Sequence, residues 1–317
     1  MKIVVTRALP PATLTPLAEV GEVWVSPHDR PLRPEELREA VQGADAVVSM
    51  LNDRVDDDVL SAAGDQLKVV ANTAVGYDNL DVAAIALHGA VATNTPGVLV
   101  DATADLTMAL MLDITRRVSE GDRLVRSGQS WSWDIGFMLG TGLQGKQLGI
   151  VGMGHIGRAV ATRATAFGTD VVYHARRDHD DDLGRRVDLD ELLATSDVVS
   201  LHCPLTADTR HLVDAPALQR MKPGAYLVNT ARGPIVDESA LVDALTEGAI
   251  AGAALDVYEH EPDVHPGLRS LSNVVLAPHL GSATVETRTR MAELAVTNVV
   301  HVLTGGGPIT PIAVPSR

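Results

Sequence analysis

Three segments of this 317-residue chain place an arginine, a histidine and carboxylates just beyond apolar runs of strand type. Asn229-Thr230-Ala231-Arg232-Gly233 closes the run 225–230, and Asp256-Val257-Tyr258-Glu259-His260-Glu261-Pro262 closes 252–257. Ala277-Pro278-His279-Leu280-Gly281-Ser282 closes 273–277. A guanidinium clamps carboxylates, and an imidazole can give a proton to a carbonyl oxygen. A carboxylate beside that imidazole orients it and favours its protonated form. Together these are the needs of hydride transfer to a 2-oxo acid. Arg232 and His279 are the candidates for the first two roles. Glu259 and Glu261 both remain open for the third. Among eleven histidines, His279 stands out because Pro278 and Gly281 bracket it at a strand end.

A hydride needs a carrier, and Leu148-Gly149-Ile150-Val151-Gly152-Met153-Gly154-His155-Ile156-Gly157-Arg158 supplies its binding pattern. An apolar strand runs into G-x-G-x-x-G, and a helical pattern follows at once. Gly152 permits a tight turn, Gly154 lets the backbone approach a pyrophosphate, and Gly157 lets helix and strand pack closely. The helix N-terminus offers unpaired amides and positive dipole to the phosphates. An NAD site places a carboxylate about 20 residues on, to hold the ribose 2′-hydroxyl. Here Ala175 stands 21 residues beyond Gly154, and Arg176 and Arg177 follow it. Two guanidiniums suit a 2′-phosphate, so the pattern predicts NADP(H) over NAD(H).

The elements that must position these groups alternate between strand and helix. Strands are expected at 2–6, 22–26, 46–50, 67–73 and 90–94, with helices at 11–20, 34–41, 56–63 and 81–88. Such alternation implies βαβ units around a parallel sheet, with ligands beyond the carboxyl ends of its strands. Two strand-end loops are candidates there, Ser49-Met50-Leu51-Asn52 and Ala74-Val75-Gly76-Tyr77-Asp78-Asn79. Gly76 is expected to expose amides to a small anion, as in a nest. Thr95-Pro96-Gly97 reads as a crossing between domains. One long helix is expected over 101–126, its apolar stripe running through Leu106, Leu110, Ile114 and Val118. The loop 127–143 holds Trp131, Trp133, Phe137 and Met138, which predicts burial against another subunit or over a ligand. After the glycine loop, strands at 170–174, 197–202, 225–230, 252–257 and 273–277 complete a six-stranded dinucleotide-binding sheet. Helices are expected at 189–195, 239–247 and 285–303, and the acidic run 178–182 reads as a solvated connection.

Composition narrows the function classes. The net charge of −15 argues against a nucleic-acid footprint or an anionic membrane surface, though a site for a small anion needs only local positive charge. The lone cysteine, Cys203, fits a reducing compartment. The N-terminal residues turn polar too early for a signal peptide, and no apolar run reaches the ~18 residues of a membrane span, so a cytoplasmic protein is expected. No metal site is expected.

The chain resembles the D-isomer-specific 2-hydroxyacid dehydrogenases, and more narrowly their glyoxylate/hydroxypyruvate reductase branch. The likeness is carried by Val75-Gly76-Tyr77-Asp78-Asn79, Thr93-Asn94-Thr95-Pro96-Gly97 and Ala102-Thr103-Ala104-Asp105-Leu106-Thr107. It continues through the glycine loop, Asn229-Thr230-Ala231-Arg232-Gly233, Gly252-Ala253-Ala254-Leu255-Asp256-Val257 and His279-Leu280-Gly281-Ser282-Ala283-Thr284. The resemblance implies two doubly wound parallel-sheet α/β domains. A flavodoxin-like substrate domain would comprise 1–97 plus 285–317, and a Rossmann cofactor domain 98–284, with the active site between them. It implies Arg232 as carboxylate clamp, His279 as general acid/base and Glu261, rather than Glu259, as its partner. It further implies substrate contacts from Leu51, the Val75 and Gly76 amides, and Trp133 reaching across a homodimer. Cofactor contacts are implied at Thr107, His155, Ile156, Cys203, Pro204, Thr209, Thr230, Ala231, Asp256 and Gly281, beside Gly152, Gly154, Gly157, Ala175, Arg176 and Arg177. NADP is the expected cofactor, with NAD possible, and small 2-oxo/2-hydroxy acids are the expected substrates. Met50 and Leu51 as an apolar wall, and Asn52 where Ser is common, leave a broader-range 2-ketoacid reductase open. A D-3-phosphoglycerate dehydrogenase-like enzyme and, in another class, a cofactor-sensing corepressor-like binding protein are the remaining alternatives.

Overall fold

Two parallel sheets, each covered by helices, organise the chain, and the computed structural model describes residues 1–177 and 182–314. The chain divides into one unit of Met1–Leu99 with Thr284–Arg317 and another of Val100–Ala283.

The first unit is built from β1 (Lys2–Val5), α1 (Pro11–Val20), β2 (Glu22–Val25), α2 (Pro34–Ala40) and β3 (Ala46–Ser49). It continues with α3 (Asp57–Ala63), β4 (Val69–Asn72), α4 (Val82–Leu87) and β5 (Val91–Thr93). Short runs of Val, Ile and Ala, buried on both faces, are the composition of a parallel sheet under two layers of helices. Proline opens α1 and α2, while Asp56 and Asp81 cap α3 and α4 by accepting from the Val59 and Ala84 amides. The strand order β2-β1-β3-β4-β5 is the flavodoxin-like arrangement. Alternate side chains serve opposite faces. Val4, Val47 and Val70 pack with Leu37, Leu60 and Ile85. Ile3, Val5 and Val48 pack with Leu17 of α1 and with Val296 and Val299 of the C-terminal helix, Val285–Leu303.

The second unit opens with α5 (Val100–Arg116) and α6 (Val118–Arg126), followed by β6 (Gln147–Val151), α7 (His155–Ala166), β7 (Asp170–His174) and β8 (Arg185–Arg186). Then come α8 (Leu189–Thr195), β9 (Val198–Leu201), α9 (Ala215–Arg220), β10 (Tyr226–Asn229), α10 (Glu238–Glu247), β11 (Gly252–Leu255), α11 (Pro266–Ser270) and β12 (Val274–Leu276). Among the described residues all seven strands are parallel, in the order β12-β11-β10-β9-β6-β7-β8. This is a Rossmann sheet whose strand order reverses at β6, where the glycine loop begins.

Two expectations need correction. Among the described residues the sheet has seven strands rather than six, because β8 is two arginines with no apolar pattern to reveal it; its pairing with Val172 and Tyr173 of β7 makes it a strand. The expected helix over 101–126 is two helices. Arg117 takes a left-handed φ of 58°, and the Thr115 carbonyl accepts from the Thr141 amide (2.7 Å) instead of continuing the helix. Asp113 then caps α6 by accepting from the Ser119 amide (2.6 Å). The acidic run expected at 178–182 lies, except for its last residue, outside the described residues.

Candidate active site

The carboxyl ends of the second sheet form a row of the groups picked out in the sequence. From β12 to β7 it presents His279, the Asp256–Glu261 turn, Arg232, Cys203, the glycine loop and Ala175-Arg176-Arg177. At about 4.8 Å per strand the row is roughly 24 Å long.

The glycine loop is shaped for a dinucleotide. Gly152 has φ 97°, and a Cβ there would lie 2.5 Å from the Cys203 nitrogen. A Cβ on Gly157 would lie 2.2 Å from the Gly152 carbonyl, so glycine is what allows α7 to sit so close to β6. Gly154, the N-cap of α7, faces open space, and no side chain caps the helix. His155 and Ile156 open this helix, whose first amides point at that space. Such a cradle fits a pyrophosphate. Behind it, Thr107 of α5 is buried and its hydroxyl lies 2.9 Å from that of Thr230. Thr209 donates to the Pro204 carbonyl (2.7 Å), folding the turn after Cys203. Burial pushes the Cys203 thiol up to about 11, so it is no nucleophile at neutral pH. Desolvation pushes the neighbouring His202 down to about 3, so that ring is the neutral imidazole.

The reactive end centres on one pair. His279 Nδ1 lies 2.7 Å from Glu261 Oε2, and both side chains are half-buried. Glu261 Oε1 accepts from the Tyr258 amide (3.1 Å), and the Tyr258 hydroxyl donates to the Ala277 carbonyl (2.8 Å), tying the two strand ends together. His279 itself has φ 54°, a left-handed conformation that a side-chain-bearing residue adopts at a cost. Asp256 holds it there. Its carboxylate accepts from the amides of Leu280 (2.6 Å) and Gly281 (2.8 Å), and its carbonyl accepts from the His279 amide (2.8 Å). Burial raises the pKa of the Asp256 carboxyl, and these amides counter that. Asp256, expected only as a cofactor contact, thus also builds the histidine's turn.

Geometry separates the two glutamates that spacing left open. Glu259 faces away from His279 and lies 2.6 Å from His211 Nε2. Its other oxygen accepts from the Glu238 amide (3.2 Å), and Glu238 Oε1 accepts from the Glu259 amide (2.8 Å). Glu259 therefore joins three segments: the turn before Val213, the start of α10 and the Tyr258–Glu261 turn. Arg232 is set by Asn229, which accepts from the Ala231 amide (3.0 Å) and donates to the Arg232 carbonyl (2.9 Å). Gly233 then lies so close to the Tyr258–Glu259 backbone that a Cβ would fall 1.8 Å from the Tyr258 carbonyl carbon. The arginine turn and the Glu261 turn are therefore packed backbone to backbone.

In the first unit, both candidate loops are braced by side chains that composition did not single out. Asn79 donates to the carbonyls of Met50 (3.1 Å) and Asp53 (2.9 Å), which fixes the Leu51 turn against the Val75 turn. Buried Asp53 accepts from the Met50 amide (2.7 Å) and from Thr6. Asn94 and Asn72 donate to the Val75 (2.8 Å) and Gly76 (3.0 Å) carbonyls, and neither the Val75 amide nor the Gly76 amide donates to a protein acceptor among the described residues. The aromatic loop does not pack into the core: Trp131 stacks on Phe137, and Trp133 is 77% exposed. Arg176 and Arg177 are exposed at the end of β7. Among the described residues no cluster of His, Cys, Asp or Glu is placed to hold a metal ion, and no helix is long and apolar enough to cross a membrane.

A Rossmann sheet with a bare helix N-terminus at its glycine loop, and a histidine–carboxylate pair on the same edge, defines a nicotinamide-dependent dehydrogenase. The family model for the D-isomer specific 2-hydroxyacid dehydrogenase NAD binding domain matches residues 108–281. The glyoxylate reductase of Thermofilum pendens is 45% identical over 97% of this chain and 93% of its own. The crystal structure of the TT0316 protein from Thermus thermophilus superposes with a TM-score of 0.93 at 47% identity, covering 99% of this chain and 100% of that one. That of an NADPH-dependent glyoxylate/hydroxypyruvate reductase from Sinorhizobium meliloti, in complex with NADP and malonate, gives 0.86 at 32% identity, covering 98% and 96%. The chain belongs to the D-isomer-specific 2-hydroxyacid dehydrogenase family, in its glyoxylate reductase branch.

Proposed function

We propose that this enzyme reduces small 2-oxo acids of the glyoxylate/hydroxypyruvate type to D-2-hydroxy acids, with NADPH preferred over NADH. The observation that carries the reading is the 2.7 Å contact of His279 with Glu261, on the sheet edge that also bears Arg232 and the glycine loop. When bound, the reduced nicotinamide supplies the hydride. Arg232 binds the substrate carboxylate and carbonyl through its planar fork. Glu261 engages Nδ1 of His279, which leaves Nε2 to give its proton to the carbonyl oxygen as the carbonyl carbon becomes an alcohol carbon. The free amides of Val75 and Gly76 offer a further carboxylate site on the first unit, the substrate domain. Leu51 borders it. The second unit is the cofactor domain, with Thr107, Cys203, Pro204, Thr209, Thr230, Ala231, Asp256 and Gly281 lining the dinucleotide path.

The preference for NADPH is supported by Ala175 at the position where an NAD site places its carboxylate, by Arg176 and Arg177 directly after it, and by the NADPH-dependent relative. Steady-state kinetics on a panel of 2-oxo acids with both cofactors tests substrate and cofactor together. Glyoxylate and hydroxypyruvate should be turned over, faster with NADPH. The double change Arg176→Ala, Arg177→Ala should raise the KM for NADPH at least about a hundredfold, two charged hydrogen bonds' worth, and leave that for NADH in place. Equal use of NADH by the unaltered enzyme contradicts the preference, and cofactor binding without oxidation across the panel contradicts the enzyme reading.

A homodimer is the state that fits the aromatic loop. Trp131, Trp133, Ile135 and Leu139 are all more than half exposed, with Val118 and Val125 of α6 exposed in the same unit. Sedimentation should show a dimer, weakened by Trp133→Ser combined with Ile135→Ser. A monomeric unaltered chain at micromolar concentration would remove this assignment.

A further inference from the structure

We propose that Arg186, on the edge strand β8, is a positioning residue for cofactor selection: it holds the Ala175-Arg176-Arg177 turn in the shape that presents two guanidiniums to a ribose phosphate. The inference rests on the cofactor reading above and assigns a role to a residue outside it. In the register of β8 on β7, Arg186 lies opposite Tyr173, two residues before the turn begins. Its Nε donates to the Ala175 carbonyl (3.1 Å), and Nη2 reaches within 3.5 Å of the Arg176 carbonyl. One planar group thus spans successive carbonyls just where the backbone leaves the sheet. Only a fork with several fixed N–H bonds makes that contact.

The neighbouring arginine shows that the arrangement is directional. Arg185 pairs with Glu191 of α8 at 2.9 Å, whereas Arg186 turns to the backbone of the selecting turn. Approach of the two strands is close: a Cβ on Gly184 would lie 2.7 Å from the Val171 carbonyl. A two-residue charged edge strand adds little apolar burial, so its place in the fold is best explained by what it holds.

The test compares Arg186→Gln and Arg186→Lys with the unaltered enzyme, measuring KM and kcat with NADPH and with NADH, and thermal unfolding of each variant. Both substitutions should raise the KM for NADPH about tenfold, the loss of roughly one charged hydrogen bond, because a lysine ammonium cannot span two carbonyls. The KM for NADH, kcat at saturation and the unfolding midpoint should stay in place. If lysine restores NADPH binding, charge rather than positioning is responsible and the proposal is overturned. Equal losses with both cofactors, or a lowered midpoint that tracks the kinetic loss, overturn it as well. An unaltered enzyme that prefers NADPH alongside an Arg186→Gln variant with the same preference defeats this inference alone. An unaltered enzyme with no preference defeats the cofactor reading and this inference with it.

Discussion

His279→Gln should lower kcat for 2-oxo acid reduction by roughly 10²–10⁴-fold, the usual worth of a positioned general acid. Glutamine retains a polar side chain of similar reach and can still meet Glu261, but it carries no transferable proton. Asp256 grips the backbone of the turn rather than the ring, so the loop should keep its shape. Cofactor affinity should therefore be unchanged while the chemical step collapses. Glutamine can neither give nor take a proton, so oxidation of the hydroxy acid should fall alongside reduction. A variant with unaltered turnover in either direction would remove His279 from the reaction.

Arg232→Lys should cost kcat/KM for the 2-oxo acid roughly 10²–10⁴-fold although charge is conserved, the equivalent of losing two charge-assisted hydrogen bonds. Asn229 and Gly233 deliver the arginine on a turn packed directly on the Tyr258–Glu259 backbone, so little slack exists for a shorter reach or another geometry. An ammonium is a point charge and cannot contact carboxylate and carbonyl oxygens in one plane. Cofactor dissociation constants, measured by fluorescence, should not move. Lysine activity within a few-fold of the arginine enzyme would show that charge alone suffices and that the fork has no part.

Much of this architecture was legible in the sequence because parallel strands buried on both faces leave runs such as Val69–Asn72, and because the glycine loop has few other uses. The groups on strand ends could be assigned to one edge once the sheet was known to be parallel. What could not be read is what tertiary packing decides. The choice between Glu259 and Glu261 depends on which way a turn folds, and spacing does not reveal that one meets His211 and the other His279. The break at Arg117 comes from a distant amide, that of Thr141, capturing a helix carbonyl. β8 has no hydrophobic signature at all. The bracing carboxamides Asn72 and Asn79 sit among ordinary turn residues, and nothing in their spacing distinguishes a brace from a solvated loop.

The division of the chain has a consequence for its synthesis. The strands of the first sheet are made at the start, yet one helix that covers the Ile3, Val5 and Val48 face, Val285–Leu303, is made near the end. Between them the ribosome must translate the whole of Val100–Ala283. At about 5–20 residues per second that interval lasts roughly 10–40 s, during which the nascent N-terminal sheet has only α1 on that apolar side while the later segment can already fold. Newly made chains should therefore depend on holding chaperones early in translation, and premature termination before Val285 should yield aggregates rather than a stable fragment.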